Sequence, residues 1–370
     1  MIHPLKTTLL ATAAAALTIP CAASAQSSIQ LGGRIKLGVD NVRYSGGTAS
    51  TTQATRVTDN SSNWYFKGTE DLGGGNQAFF HLETTLQGDT GAIGAPRFFA
   101  VGLGNRDWGR VLLGVWSIYF ASDSALSPAS ISDGQPYAAG TLNVLGAIGK
   151  RGQYFAGGFL PNTLRYESPR WGGFAFTAAY LFDTETAGQS SNRSLNFNPT
   201  YINGPLTLYA NILQRNSQPR AAGNFSTTFD QKAVRLGAGY QLAEGLKAAI
   251  LWDRNTVDGS AVSGGKMSRD AWAIPVSYRT GPHLFTGAYG QARSLERGGI
   301  KANDTGAQML AVGYEYFLSK RTSLAANYST VKNQSGAAYD FWHPNDVLPV
   351  GATNTGFTSR YIYAGIKHTF

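Results

Sequence analysis

The side chains in this chain that can act on other molecules are cations set at alternate positions. In SIQLGGRIKLGVDNVRY, Arg34 and Lys36 fall opposite Leu31, Ile35 and Leu37, and in NWYFKGTE Lys67 falls opposite Trp64 and Phe66. An extended strand sends successive side chains to opposite faces, so these cations share a wet side while the apolar residues take the other. Cations held along one wet wall concentrate anions and repel other cations, which is steering chemistry that breaks no bond. Constellations that would break bonds are missing from the sequence. The five histidines, His3, His81, His283, His343 and His368, are scattered; HExxH, GxSxG and CxxC are absent; and the glycines of DLGGG mark a turn with no helix behind it. The expectation is a protein that is not an enzyme and needs no metal or cofactor.

Strands must carry these cations, and the composition agrees. Gly at 45, Tyr at 18, Phe at 19, Trp at 7 and only 14% charged residues suit many short strands joined by tight turns, while a hydrophobic content of 42% is ordinary for a soluble protein. A barrel spanning a membrane reconciles the two, because each strand is apolar toward lipid and polar toward water. The segment TSRYIYAGIKHTF has Ile362, Ala364, Ile366, His368 and Phe370 on one face and Tyr361, Tyr363, Gly365, Lys367 and Thr369 on the other. A strand that alternates this way and closes on an aromatic is how an outer-membrane barrel finishes, which makes Phe370 the expected barrel-assembly terminus.

At the other end, His3 and Lys6 precede the apolar stretch from Thr7 to Ile19, and Ala23, Ser24 and Ala25 form an A-x-A site before Gln26. Residues 1–25 therefore read as a cleavable secretory signal, with 26–370 as the mature protein. The apolar stretch, about thirteen residues, is too short for a spanning helix. Cys21, the single cysteine, would leave with the signal, so no disulfide is expected. The net charge of +9 comes without a Lys/Arg run, which argues against a nucleic-acid partner and for small anionic solutes or lipopolysaccharide phosphates.

From Gln26 onward about sixteen alternating stretches follow one another without a domain boundary. Short turns at Asn203 with Gly204, Glu244 with Gly245, Gly281 with Pro282, and Lys320 with Arg321 alternate with longer polar loops at 45–62, 182–193, 216–229, 255–268 and 333–356. That asymmetry is the mark of short periplasmic turns and long external loops, and an even strand count puts both termini in the periplasm. One connection is far longer, about 121–161, between RVLLGVWSIYF and NTLRYES. A barrel of this width would be an open hole, so the expected role of that segment is to fold inward and narrow it. The alternatives are a course over the outer surface, or a hairpin in TLNVLGAIG. Asp123 and Asp133 are its candidate acids, with Lys150 and Arg151 as counter-charges and Tyr119, Phe120, Tyr137, Tyr154 and Phe155 as packing groups.

Together these segments resemble the trimeric general porins of Gram-negative bacteria, in the beta-proteobacterial version. WYFKGTEDLGGGNQAFFHLE is similar to that family's second hairpin, RFFAVGLGNRDWGRVLLG to its fourth and fifth strands, NTLRYESPRWGGFAFTAAY to its sixth and seventh, and AGIKHTF to its closing strand. The resemblance implies an all-β, 16-stranded antiparallel transmembrane barrel in a homotrimer, with the third external loop folded into the lumen facing a basic ladder. Arg34, Arg97 and Arg165 match ladder positions, joining Lys36 and Lys67. Alternation then turns Phe98 away from Arg97, toward lipid. Two positions depart from the family pattern, Asn63 where an Arg is usual and Val115 with Trp116 where an LGRQ-like strand end carries Arg. The expected function is passive diffusion of small hydrophilic solutes with anion preference; the rival readings are a substrate-specific channel, or a non-conducting barrel serving as receptor, adhesin or lipid-modifying enzyme.

Overall fold

A computed structural model of the chain describes residues 28–48, 51–119, 135–146, 148, 156–182, 193–216, 229–259, 262, 265–341 and 354–370. The expected signal with Cys21, and the loop residues Phe120, Asp123, Asp133, Lys150, Arg151, Tyr154 and Phe155, lie outside them.

Nineteen strand segments form one sheet: β1 (Ser28–Ser45), β2 (Thr52–Asp59), β3 (Ser62–Gly73), β4 (Asn76–Gln87), β5 (Ala92–Asn105), β6 (Gly109–Ile118), β7 (Gly158–Glu167), β8 (Phe174–Leu181), β9 (Ser194–Asn203), β10 (Leu206–Asn216), β11 (Asp230–Ala243), β12 (Leu246–Asp258), β13 (Met267–Thr280), β14 (His283–Ala292), β15 (Glu296–Arg297), β16 (Ile300–Lys301), β17 (Ala307–Phe317), β18 (Thr322–Asn333) and β19 (Thr358–Thr369). Each wall strand pairs antiparallel with its neighbour, and β1 pairs with β19, so the sheet closes on itself. β1 meets β3 along one half, from Ser28↔Thr69 to Arg34↔Asn63, and β2 along the other, from Leu37↔Asp59 to Tyr44↔Thr52. β2 and β3 are thus one wall strand interrupted at Asn60 and Ser61, and β15 with β16 is a small hairpin added to the rim. The wall is a closed antiparallel barrel of sixteen strands.

The structure corrects the sequence reading at one loop and adds detail at two other places. The segment 45–62 is not all loop, since β2 runs through it. The stretch between Leu295 and Ala302 carries the β15–β16 hairpin. The alternative hairpin in TLNVLGAIG does not form among its described residues, which carry one 3-10 turn, Thr141–Asn143, just after another at Tyr137–Ala139.

Burial along the strands is inverted relative to a water-soluble sheet. Large apolar side chains are exposed, among them Ile29, Leu31, Val101, Ile250 and Ile362, while Lys36, Arg97, Arg165, Asp253 and Arg269 are buried on the opposite face. A wall with its apolar side out fits a hydrocarbon surround, where every backbone polar group must be paired within the protein; a closed ladder achieves that pairing. No helix among the described residues is long and apolar enough to cross a membrane, a fact that does not bear on strands.

Glycine acts at two kinds of place. At the tight turn between β11 and β12, Gly245 has φ +72°, and a Cβ there would collide with the Arg279 carbonyl oxygen. On the inner face, paired Gly38 and Gly365 leave room for the Tyr363 ring to lie across them, its hydroxyl donating to the Leu37 carbonyl at 3.4 Å. Phe370 extends the β1–β19 seam, with Phe370 N–H donating to the Gly33 carbonyl at 3.1 Å and Gly33 N–H donating back at 3.3 Å.

Candidate functional site

Four of the five basic residues expected on the wet wall are carried by β1, β3 and β5, and two of them, Arg34 and Arg97, meet at one serine. The break between β2 and β3 organises this region. Asp59 accepts from the N–H groups of Ser61 at 2.8 Å and Ser62 at 2.9 Å, holding Ser61 at φ +78°. Ser61 thereby presents its carbonyl and hydroxyl to two guanidiniums: Arg34 Nε donates to Ser61 O at 3.0 Å and Arg34 Nη2 to Ser61 Oγ at 3.2 Å, while Arg97 Nη1 donates to the same Oγ at 2.9 Å. Glu83 sits 3.2 Å from Arg97 Nε and 3.2 Å from His81 Nε2, and accepts from Asn63 Nδ2 at 2.5 Å. Asn63, where a further cation was looked for, therefore bonds the carboxylate beside the ladder. Lys67 stands on the inner face with its ammonium 3.9 Å from the Tyr65 ring centroid.

Arg165 is on the neighbouring stretch of wall. Its Nε donates to Glu167 Oε1 at 2.9 Å and its Nη1 to the Ser117 carbonyl at 3.1 Å, and Arg110 pairs with the same Glu167. Lys36 reaches furthest from its own strand, donating from Nζ to the Gln135 carbonyl at 3.1 Å.

Period-two alternation fails at Phe98. Arg97 and Phe98 both turn inward, because the β4–β5 register shifts beside Glu83, with Glu83 opposite Phe98 but Thr84 opposite Pro96. Phe98 stacks on His81 with ring centroids 5.0 Å apart and packs on Trp116 at 4.6 Å and Phe159 at 5.2 Å. Phe98 is not lipid-facing; the first outward residue is Phe99, 42% exposed and paired with Val115. Trp116 packs inside against His81 and Phe98.

A second charged centre, across the barrel, went unnoticed in the sequence. Asp253 on β12 accepts from Arg269 Nη2 at 2.8 Å, Arg235 Nε at 3.1 Å, the Tyr119 hydroxyl at 3.1 Å and the Gly146 N–H at 3.0 Å. Arg269 also donates to the Val144 carbonyl, and Asn255 Nδ2 to the Gly146 carbonyl at 3.0 Å. The signal was available: Arg235 alternates against Val234 and Leu236, and Arg269 against Trp272. Near this centre Ala138, Val144 and Leu145 join a buried cluster with Ala271, Ala273, Ala288 and Ala292. Gln135 Nε2 completes the set of wall contacts by donating to the Tyr314 carbonyl at 2.9 Å.

A closed sixteen-strand wall, apolar outside and lined with cations inside, defines an aqueous channel through a membrane. Residues 11–336 match the Gram-negative porin family model, and the chain belongs to that family. It is 27% identical over 393 residues to outer membrane porin protein 32 of Delftia acidovorans, covering 97% of this chain and 98% of that protein. Among solved structures it resembles the anion-selective porin from Comamonas acidovorans, with a TM-score of 0.71 and 23% identity over 93% of this chain and 100% of that one. It also resembles the trimer form of OmpT from Vibrio cholerae, with a TM-score of 0.63 and 12% identity over 93% and 99%. The protein is a porin of the beta-proteobacterial type, seated in the outer membrane, and its channel passes solutes by passive diffusion.

Proposed function

We propose that this porin prefers small hydrophilic anions, that the segment 121–161 narrows its lumen, and that it works as a homotrimer after loss of residues 1–25. The observation that carries the preference is the arithmetic of pairing on the inner wall. Glu167 is shared by Arg110 and Arg165, and Asp253 by Arg235 and Arg269, so each of these carboxylates has two guanidiniums beside it. The Lys67 ammonium rests on an aromatic ring. Excess positive charge in a narrow, partly desolvated passage makes a well for anions and a barrier for cations. The ladder of Arg34, Lys36, Lys67, Arg97 and Arg165 is then the selectivity wall, with Asp123 and Asp133 as the facing acids. The Comamonas structure fits this reading, being anion-selective by name.

The narrowing role is supported by the bonds of Gln135, Val144 and Gly146 to inner-face groups of β1, β12, β13 and β17. No part of the reading uses catalysis, a cofactor or a metal. The deciding measurement is the reversal potential of the purified protein in planar bilayers across a KCl gradient. Its sign is expected to report chloride as the more permeant ion; a cation-selective reversal potential refutes the preference.

A further inference from the structure

Toward the short-turn end of the inner wall lies a recess of about 1120 Å³ whose lining includes Lys67, Phe79, His81, Arg110, Trp116 and Glu167. Its chemistry differs from that of a plain ion path. The β5 side is stripped of bulk, with Ala100, Gly102 and Gly104 at successive inward positions, and the space is bounded instead by aromatic rings. Phe98 braces Trp116 and His81 from behind, and the Phe79 ring packs over Gly102. Two cations flank these rings. Arg110 stands 5.4 Å from the Phe79 centroid but is already paired with Glu167. Lys67, directly across the strand pair from His81, has the Tyr65 ring as its close contact and, among the described residues, no salt-bridge partner. Asp71 and Asp107 are further along the lining, together with Arg106.

We infer that this recess is a binding subsite for aromatic monocarboxylates, with the carboxylate on Lys67 and the ring against Phe79, His81 and Trp116. The inference rests on the diffusion-channel reading for how the ligand arrives. An inorganic anion would use the lysine and leave the rings idle; a neutral aromatic would use the rings and leave the lysine unpaired. A planar aromatic acid uses both, since Lys67 and His81 are direct cross-strand partners with Cβ atoms about 5 Å apart, so a ligand on one side chain is within reach of the other. Ring–ring contact adds to what charge and area alone provide.

The test uses benzoate and cyclohexanecarboxylate, which share charge and size but not the aromatic face. Saturation-transfer NMR on the detergent-solubilised protein gives the affinities, and bilayer conductance is recorded separately. Benzoate should bind roughly tenfold more tightly than cyclohexanecarboxylate, and both Lys67→Gln and Trp116→Leu should weaken benzoate by about tenfold, which is the loss of one ring or charge contact. Lys67→Gln decides alone if Trp116→Leu does not fold. Equal binding of the two acids, or benzoate binding that is unchanged in the folded variants, overturns the subsite while a conducting wild type keeps the channel reading. The expected ranking in a protein that never conducts overturns the channel reading and keeps the subsite.

Discussion

Ser61 and Asp253 show how single residues set the electrical character of the wall. A bulge that Asp59 ties down lets one serine serve Arg34 and Arg97 together, so two guanidiniums are held near each other on a single hydroxyl oxygen. Asp253 does the opposite, drawing Arg235 and Arg269 onto one buried carboxylate. Asp253→Asn would leave both arginines buried with their countercharge gone, at a cost of about 3–5 kcal/mol. The expected outcome is a lower temperature for the heat-induced shift in gel mobility, together with a reversal potential more anion-selective than the parent's; no change in either would show that the centre is neither structural nor electrical. Phe98 marks the point at which residue-level reading failed. Alternation assigned it to lipid, and the register shift beside Glu83 turned it inward. On the proposed loss of residues 1–25, which takes Cys21 with it, a water-soluble thiol reagent should lower the current at Arg97→Cys and Phe98→Cys and leave it unchanged at Phe99→Cys.

At the scale of elements, the strands were legible and their interruptions were not. Alternating runs such as SIQLGGRIKLGVDNVRY and TSRYIYAGIKHTF announce themselves, since each has one face that must meet hydrocarbon. β2 hid inside a polar stretch because TQATRVTD carries little apolar signal, and it is a strand only because β1 offers it a partner. The segment around Gln135 to Gly146 was conspicuous by length alone; its bonds to Lys36, Asp253, Arg269 and Tyr314 depend on residues far away in the chain. Removing 128–146 should raise single-channel conductance and admit larger sugars in liposome swelling assays. The barrel should still fold, because the ladder from β1 to β19 closes the wall without it. An unchanged conductance would mean that the segment does not set the pore's width.

The whole molecule inverts the usual order of burial, and two of its properties follow from that. Charges inside a narrow aqueous passage act on every permeating ion, so the chloride preference should weaken as KCl rises from 0.1 M to 1 M, where the Debye length falls from about 10 Å to about 3 Å. A preference independent of salt would point to size in place of charge. OmpT of Vibrio cholerae has been solved in a trimer form, and conductance lost in three equal voltage-driven steps is expected if this chain assembles as proposed. The sequence by itself determined the barrel class, the turn-and-loop asymmetry, and the inward direction of Arg34, Lys36 and Lys67, because a two-residue period in a membrane leaves a side chain only two environments. Tertiary structure alone decided the partners of those cations, the inward turn of Phe98, the Asp253 centre and the aromatic recess beside Lys67. Each of those depends on register between strands, and a shift of one residue, invisible in the periodicity of either strand, exchanges the two faces.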